Sequence, residues 1–174
     1  MRKIILVFVV LTTLFACKSD KKNSNNEVAT ESKKQENILK VYIEFKTNKQ
    51  DEFRIILNNI EVDEFQKMNI EAREIIPVTA SYEKMNVTFF DNVFSKNFLI
   101  GLGNDKLKEL EINKIVISRG PNIVTVNKEN IQDYFSPNKY VEFKNNKIIT
   151  KKVNGKHLPL LFAKSRLINT LKKK

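Results

Sequence analysis

The sequence predicts a mainly β domain, an antiparallel β-sandwich or jelly-roll-like fold with one or two short helices. Three observations predict it. Residues 38–46, ILKVYIEFK, alternate apolar and polar side chains with a period of two, as a half-buried strand does. Short β-branched or aromatic runs recur along the chain, separated by Asn, Gly and Pro turn residues. Asn145-Asn146 separates two such runs, and a two-residue hairpin turn needs residues that tolerate left-handed backbone.

In the first strand Leu39, Val41, Ile43 and Phe45 share one face, and Lys40, Tyr42, Glu44 and Lys46 the other. Thr47 to Glu52 reads as a polar turn, and Phe53 to Leu57 as a second strand ended by Asn58-Asn59. Val62 to Ala72 is ambiguous: Val62, Phe65 and Met68 fall at helical spacing, whereas Asn69 and the acidic residues weaken a helix. Ile75 to Ala80 is strand-like, and Pro77 assigns it to an edge. Asn86 to Phe90 is another short strand. Phe98 to Leu102 is apolar on both faces and so reads as a central strand, with Gly101 marking a bulge or a close backbone approach.

Leu110 to Ser118 is a second central strand, followed by the turn Gly120-Pro121-Asn122 and a short run from Ile123 to Val126. Asn127 offers an N-cap for a two-turn helix over 128–135 with Ile131, Tyr134 and Phe135 inward. Tyr140 to Val153 is the clearest hairpin; its turn pairs Phe143 with Ile148 and Val141 with Thr150. Pro159 can open a terminal helix that carries Leu160, Leu161, Leu167, Ile168 and Leu171 on one side, a basic amphipathic segment expected to pack on its own domain.

The N-terminus divides the chain. Arg2 and Lys3 precede an apolar run from Ile4 to Phe15, about a dozen residues and too short to span a bilayer as a helix. Leu14, Ala16 and Cys17 close it. Leu-x-Ala-Cys after such a run resembles the signal of bacterial lipoproteins, with Phe15 bulkier than the pattern usually carries. The resemblance implies a signal peptide over 1–16, lipidation at Cys17 and a lipid anchor in the cell envelope, at the outer membrane. Two or more acyl chains hold firmly where one holds marginally. Residues 17–37 are then the lipidated cysteine and a polar tether, because a segment with only Val28 and Ala29 apolar buries too little to offset its ordering entropy. Residues 38–174 form one domain. The paired runs NFLIGLG and LEINKIVIS followed by a short helix resemble the β-sandwich modules of Bacteroidota lipoproteins, many of which bind sugars.

The formal net charge of +11 is uneven. Residues 139–174 carry eleven lysines and arginines against Glu142 alone. Clustered positive charge attracts anionic partners such as lipid headgroups, lipopolysaccharide phosphates and acidic glycans. Nucleic acid is not expected as a partner for an exported lipoprotein.

Signals for catalysis are thin. GLGNDK has Lys106 where a nucleotide loop needs its third glycine. His157 is the only histidine, Cys17 the only cysteine, and no spacing singles out a pair of carboxylates, so no metal, cofactor or catalytic residue is assigned. The reading is a non-catalytic binding module for a glycan or anionic envelope component. Tyr42, Arg119, Lys151, Lys152 and Lys156 are its candidate contacts. The alternatives are a structural or assembly accessory that binds another envelope protein and, behind it, a hydrolase.

Overall fold

A computed structural model describes residues 37–173 apart from 63, 65, 91 and 92. The signal and lipidation expected at 1–17, and the tether up to residue 36, lie outside the described residues. Eleven strands and two short helices follow: β1 (Leu39–Thr47), β2 (Asp51–Glu61), β3 (Lys67–Ile76), β4 (Glu83–Phe89), β5 (Asn97–Gly101), β6 (Glu109–Arg119), β7 (Asn122–Val126), α1 (Ile131–Tyr134), β8 (Phe135–Pro137), β9 (Val141–Lys144), β10 (Lys147–Thr150), β11 (Leu160–Ala163) and α2 (Ser165–Lys172). The strands form two antiparallel sheets packed face to face, a β-sandwich.

The first sheet runs β4-β1-β6-β10-β9, and β7 shares the far edge of β6 with β10. The second runs β3-β2-β5-β11-β8. The chain crosses between sheets at the 48–50 turn, so β1 and β2 face each other across the core. Leu39, Val41, Ile43 and Phe45 meet Phe53, Ile55 and Leu57, all at most 2 % exposed. The rings of Phe45 and Phe53 stack 4.8 Å apart between the layers. Each such side chain contributes about 1.5–3 kcal/mol by leaving water, and the period-two pattern of β1 exists because of this burial.

The hairpin at 141–150 has the expected register, with Phe143 opposite Ile148 and Val141 opposite Thr150. Asn145 and Asn146 both adopt left-handed backbone, φ 51° and 60°. β5 and β6 are both central, β5 with its apolar run on two faces and β6 with its row of leucine and isoleucine turned inward. Gly101 is a close approach: a Cβ there would lie 3.3 Å from the Arg54 side chain that crosses it.

Several elements differ from the sequence reading. Asn58-Asn59 does not end β2. Asn59, at φ 54°, makes a bulge between Leu57 and Ile60, and the strand continues. The possible helix over 62–72 is replaced by β3: Val62 and Met68 are exposed, so their helical spacing marks no buried face, while Ile70, Ala72 and Ile76 turn inward at a period of two. β3 is an edge strand that stops just before Pro77. The helix at 128–135 is a single turn, because buried Phe135 is already extended and pairs with Ala163. Leu160 to Ala163 form β11 between β5 and β8, which leaves α2 to begin at Ser165. Leu167, Ile168 and Leu171 bury its apolar face on the domain, and Arg166 pairs with Asp133 at 3.0 Å.

One end of the sandwich is locked by a buried ion pair. Lys108, just before β6, donates through Nζ to Asp51 at the start of β2, to the Leu102 carbonyl at 2.7 Å and to the Gly103 carbonyl at 3.3 Å. Asp51 also accepts the amides of Glu52 at 2.8 Å and of Asp105 and Lys106, each at 3.1 Å. Both side chains are almost fully removed from solvent. Gly103, at φ 83°, is required here, since a Cβ would fall on the Asp51 carboxylate. Thr150 of β10 accepts the Lys108 amide at 2.9 Å.

Burial opposes ionisation of Asp51, but hydrogen bonds from Lys108, Lys106 and Glu52, together with the Lys108 charge, outweigh it. The carboxyl is held below its ordinary 3.8. Removing one partner strands a buried charge, so Lys108→Met is expected to cost about 3–5 kcal/mol in chemical denaturation. The stability due to Asp51 ionisation is fully present above 3.8 and is lost as pH falls through the lower folded-state value. Asp51→Asn should therefore lower stability at neutral pH and flatten its decline below pH 4, measured by urea titration across pH 2–6.

Candidate functional site

The opposite end of the sandwich is open. There β2 ends, β3 and β5 begin, β6 ends and α2 finishes. The geometry of this end starts from the β2 bulge. Left-handed Asn59 donates its amide to the Asn69 side chain of β3 at 2.8 Å. Ser95, buried, donates its hydroxyl to the Asn58 carbonyl and accepts the Asn97 amide at 2.9 Å. These bonds hold residues 93–97 against the bulge and leave a cleft of about 710 Å³ between the sheets. Its apolar lining includes Ile60, Met68, Ile70, Val93 and Phe94, and Lys67, Lys96, Arg119 and Lys172 bring four cations to it. Among the described lining residues Glu61 is the one carboxylate, and none of the four cations makes an ion pair with a described carboxylate.

Arg119 is the unusual member. It lies opposite Leu39 on the β-ladder and continues the inward row of Ile115 and Ile117, so a cation occupies a position that those residues fill with isoleucine. Its guanidinium stacks 4.8 Å over the Phe94 ring. One Nη donates to the Leu171 carbonyl at a long 3.4 Å, and Nε is buried with no partner among the described residues. A buried donor left without a partner costs about 1–3 kcal/mol.

The other candidate residues stand elsewhere. Tyr42 is half-buried on the outer face of the first sheet, between Asn86 and Val116. Lys151, Lys152 and Lys156 are exposed near the Asp51–Lys108 end. Lys151 pairs with Glu142 at 3.4 Å, and Lys156 closes a tight turn against Val153. About 30 Å of β6 separates this group from Arg119, so the five residues do not form one site. The basic C-terminal stretch is divided in the same way, with Lys172 at the cleft and Lys151, Lys152 and Lys156 far from it.

His157 places Nδ1 2.8 Å from the Asn104 carbonyl, a loop-bracing bond. GLGNDK is no phosphate loop here, because its amides at Asp105 and Lys106 already bind the Asp51 carboxylate. Among the described residues no three His, Cys, Asp or Glu side chains gather as a metal site, and no helix is long and apolar enough to cross a membrane.

Sequence reasoning missed Lys67, Lys96 and Phe94. Lys67 stands on β3 and the other two in the 93–97 segment, and no motif joins them; the inward parity of Arg119 with Ile115 and Ile117 was the one available signal. No protein-family model, curated protein or solved structure matches this chain.

Ser95→Ala removes the hydroxyl that pins residues 93–97 to β2. It is expected to cost about 1–3 kcal/mol and to raise amide hydrogen exchange at 94–97 while leaving exchange at 108–112 unchanged.

Proposed function

We propose that the chain is a membrane-anchored lipoprotein, lipidated at Cys17, whose β-sandwich is a non-catalytic module binding an anionic component of the cell envelope through the Arg119 cleft. The observation that carries this reading is the cleft's charge: four cations line it, Glu61 is the one carboxylate among the described lining residues, and none of the four is ion-paired to a described carboxylate. Clustered, unpaired positive charge raises the local concentration of anions and supplies charge-assisted hydrogen bonds.

Acidic glycans and lipopolysaccharide phosphates are the ligand classes with the required charge. Tyr42, the aromatic member of the expected contacts, gains no neighbour from the cleft, because it lies on the outer sheet face. Binding through the cleft is expected to weaken with salt, since exposed charges are screened over about 8–10 Å at physiological ionic strength.

A second reading, docking of another envelope protein by strand addition, is favoured by β3, which pairs only with β2 and exposes Met68 and Ile75 along the sheet edge. Lys67, Glu71 and Arg73 on the same strand discourage such pairing, so the cleft is the better-supported site.

The test is binding of lipopolysaccharide and of an acidic polysaccharide by the wild-type chain and by Lys96→Gln/Arg119→Gln. The double variant is expected to lose at least tenfold in affinity while the Lys151→Gln/Lys152→Gln/Lys156→Gln triple variant changes little. The opposite ranking would move the site to the other end of the domain. Labelling with a radioactive fatty acid tests the anchor: label is expected on the wild type and absent from Cys17→Ser.

A further inference from the structure

We infer that the Arg119 cleft is built for an anionic amphiphile: a single acyl chain bearing a carboxylate or phosphate head. The inference rests on the anion-binding reading above and adds a tail to the ligand. A site for a purely polar anion needs no hydrocarbon, whereas this one sets its cations beside Ile60, Met68, Ile70 and Val93. Ile60, the innermost of the apolar set, is 8 % exposed and belongs to the core, so the cleft reaches the space between the sheets. Met68 and Val62, at 43 % and 55 % exposure, extend the same apolar surface outward. Hydrocarbon laid along this path would cover side chains that water now wets, at about 25 cal/mol per Å² of apolar area. The volume of about 710 Å³ lies within the range of small-ligand sites and accommodates one chain.

Arg119 fixes the direction of the ligand. The guanidinium lies over the Phe94 ring, and a guanidinium meets a planar carboxylate or a phosphate with paired N–H donors. Lys67 and Lys96 approach from the strand and loop that frame the opening. The head therefore meets Arg119, and the tail runs over Val93, Ile70 and Met68. A neutral amphiphile fills the hydrocarbon path and leaves the Arg119 donor unmet. A tailless anion meets the donor and leaves the path wet.

The chain has no tryptophan, so Val62→Trp places one indole fluorophore at the cleft rim. The experiment titrates the full chain carrying Cys17→Ser and Val62→Trp with dodecyl phosphate and dodecyl maltoside, both below their micelle concentrations, and with inorganic phosphate. Dodecyl phosphate is expected to saturate at one per chain, shift the indole emission to the blue and bind at least tenfold tighter than either control. Adding Arg119→Gln should weaken dodecyl phosphate at least tenfold and leave dodecyl maltoside unchanged. Adding Met68→Asn, a neutral polar change at an exposed position, should weaken dodecyl phosphate and spare inorganic phosphate. Equal affinity for dodecyl phosphate and inorganic phosphate would overturn the amphiphile and keep the anion site. Loss of both anions would overturn the anion site as well. Dodecyl phosphate binding indifferent to Arg119→Gln would remove the ligand from this cleft.

Discussion

The pair Asp51–Lys108 is the constraint on which the arrangement of the two sheets depends. Asp51 begins a strand of one sheet, and Lys108 immediately precedes the longest-paired strand of the other. Their contact turns the 102–108 loop around a buried carboxylate and, through Thr150, ties in the hairpin at 141–150. A charge pair in this position has a steep desolvation cost, offset only because nearly every donor and acceptor is met. It is specific where an apolar contact would not be: it sets where β2 starts relative to β6, and hence which residues of each face the core. Among the described residues the far end of the sandwich has no such buried ion pair. Its layers are held apart by side chains and flanked by α2, and the cleft occupies the space that remains.

Local chemistry made much of the fold legible. The β1 alternation, the two-sided run of β5, the isoleucine-dense run of β6 and the Asn145-Asn146 turn each state their structure within a few residues. Failures arose where tertiary pairing overrode a local pattern. Leu160 and Leu161 could continue a helix toward Leu167, but the gap between β5 and β8 takes them as a strand. Asn58-Asn59 offered left-handed backbone, and the chain used it for a bulge in place of a turn. β3 is an edge strand with exposed apolar side chains, so its alternation is faint. Asp51 and Lys108 were invisible for a different reason: nothing in a lone aspartate beside a polar turn, or in one lysine among many, announces that the two are buried together.

The candidate site was legible only through Arg119, and only as a residue type. Its significance is positional, a cation on the inward parity of a strand whose neighbours are core isoleucines. Lys151, Lys152 and Lys156 drew attention by adjacency in the chain, a weak guide to adjacency in a sandwich where about 30 Å of strand separates the two ends. The cleft is assembled from five separate stretches, so charge counted along the sequence underestimates it at one end and exaggerates it at the other.

The described chain enters and leaves the domain at the same end. Asn37 sits against Gly120, and the Lys173 carbonyl accepts a hydrogen bond from Asn122 at 2.6 Å. A reporter or affinity handle joined beyond α2 would crowd the mouth of the cleft. The Asn154-Gly155 turn points into open solvent at the opposite end, with both residues left-handed and nothing within 4 Å of a Cβ at Gly155. A short peptide spliced there would decorate the protein while leaving both its entry and its opening unobstructed.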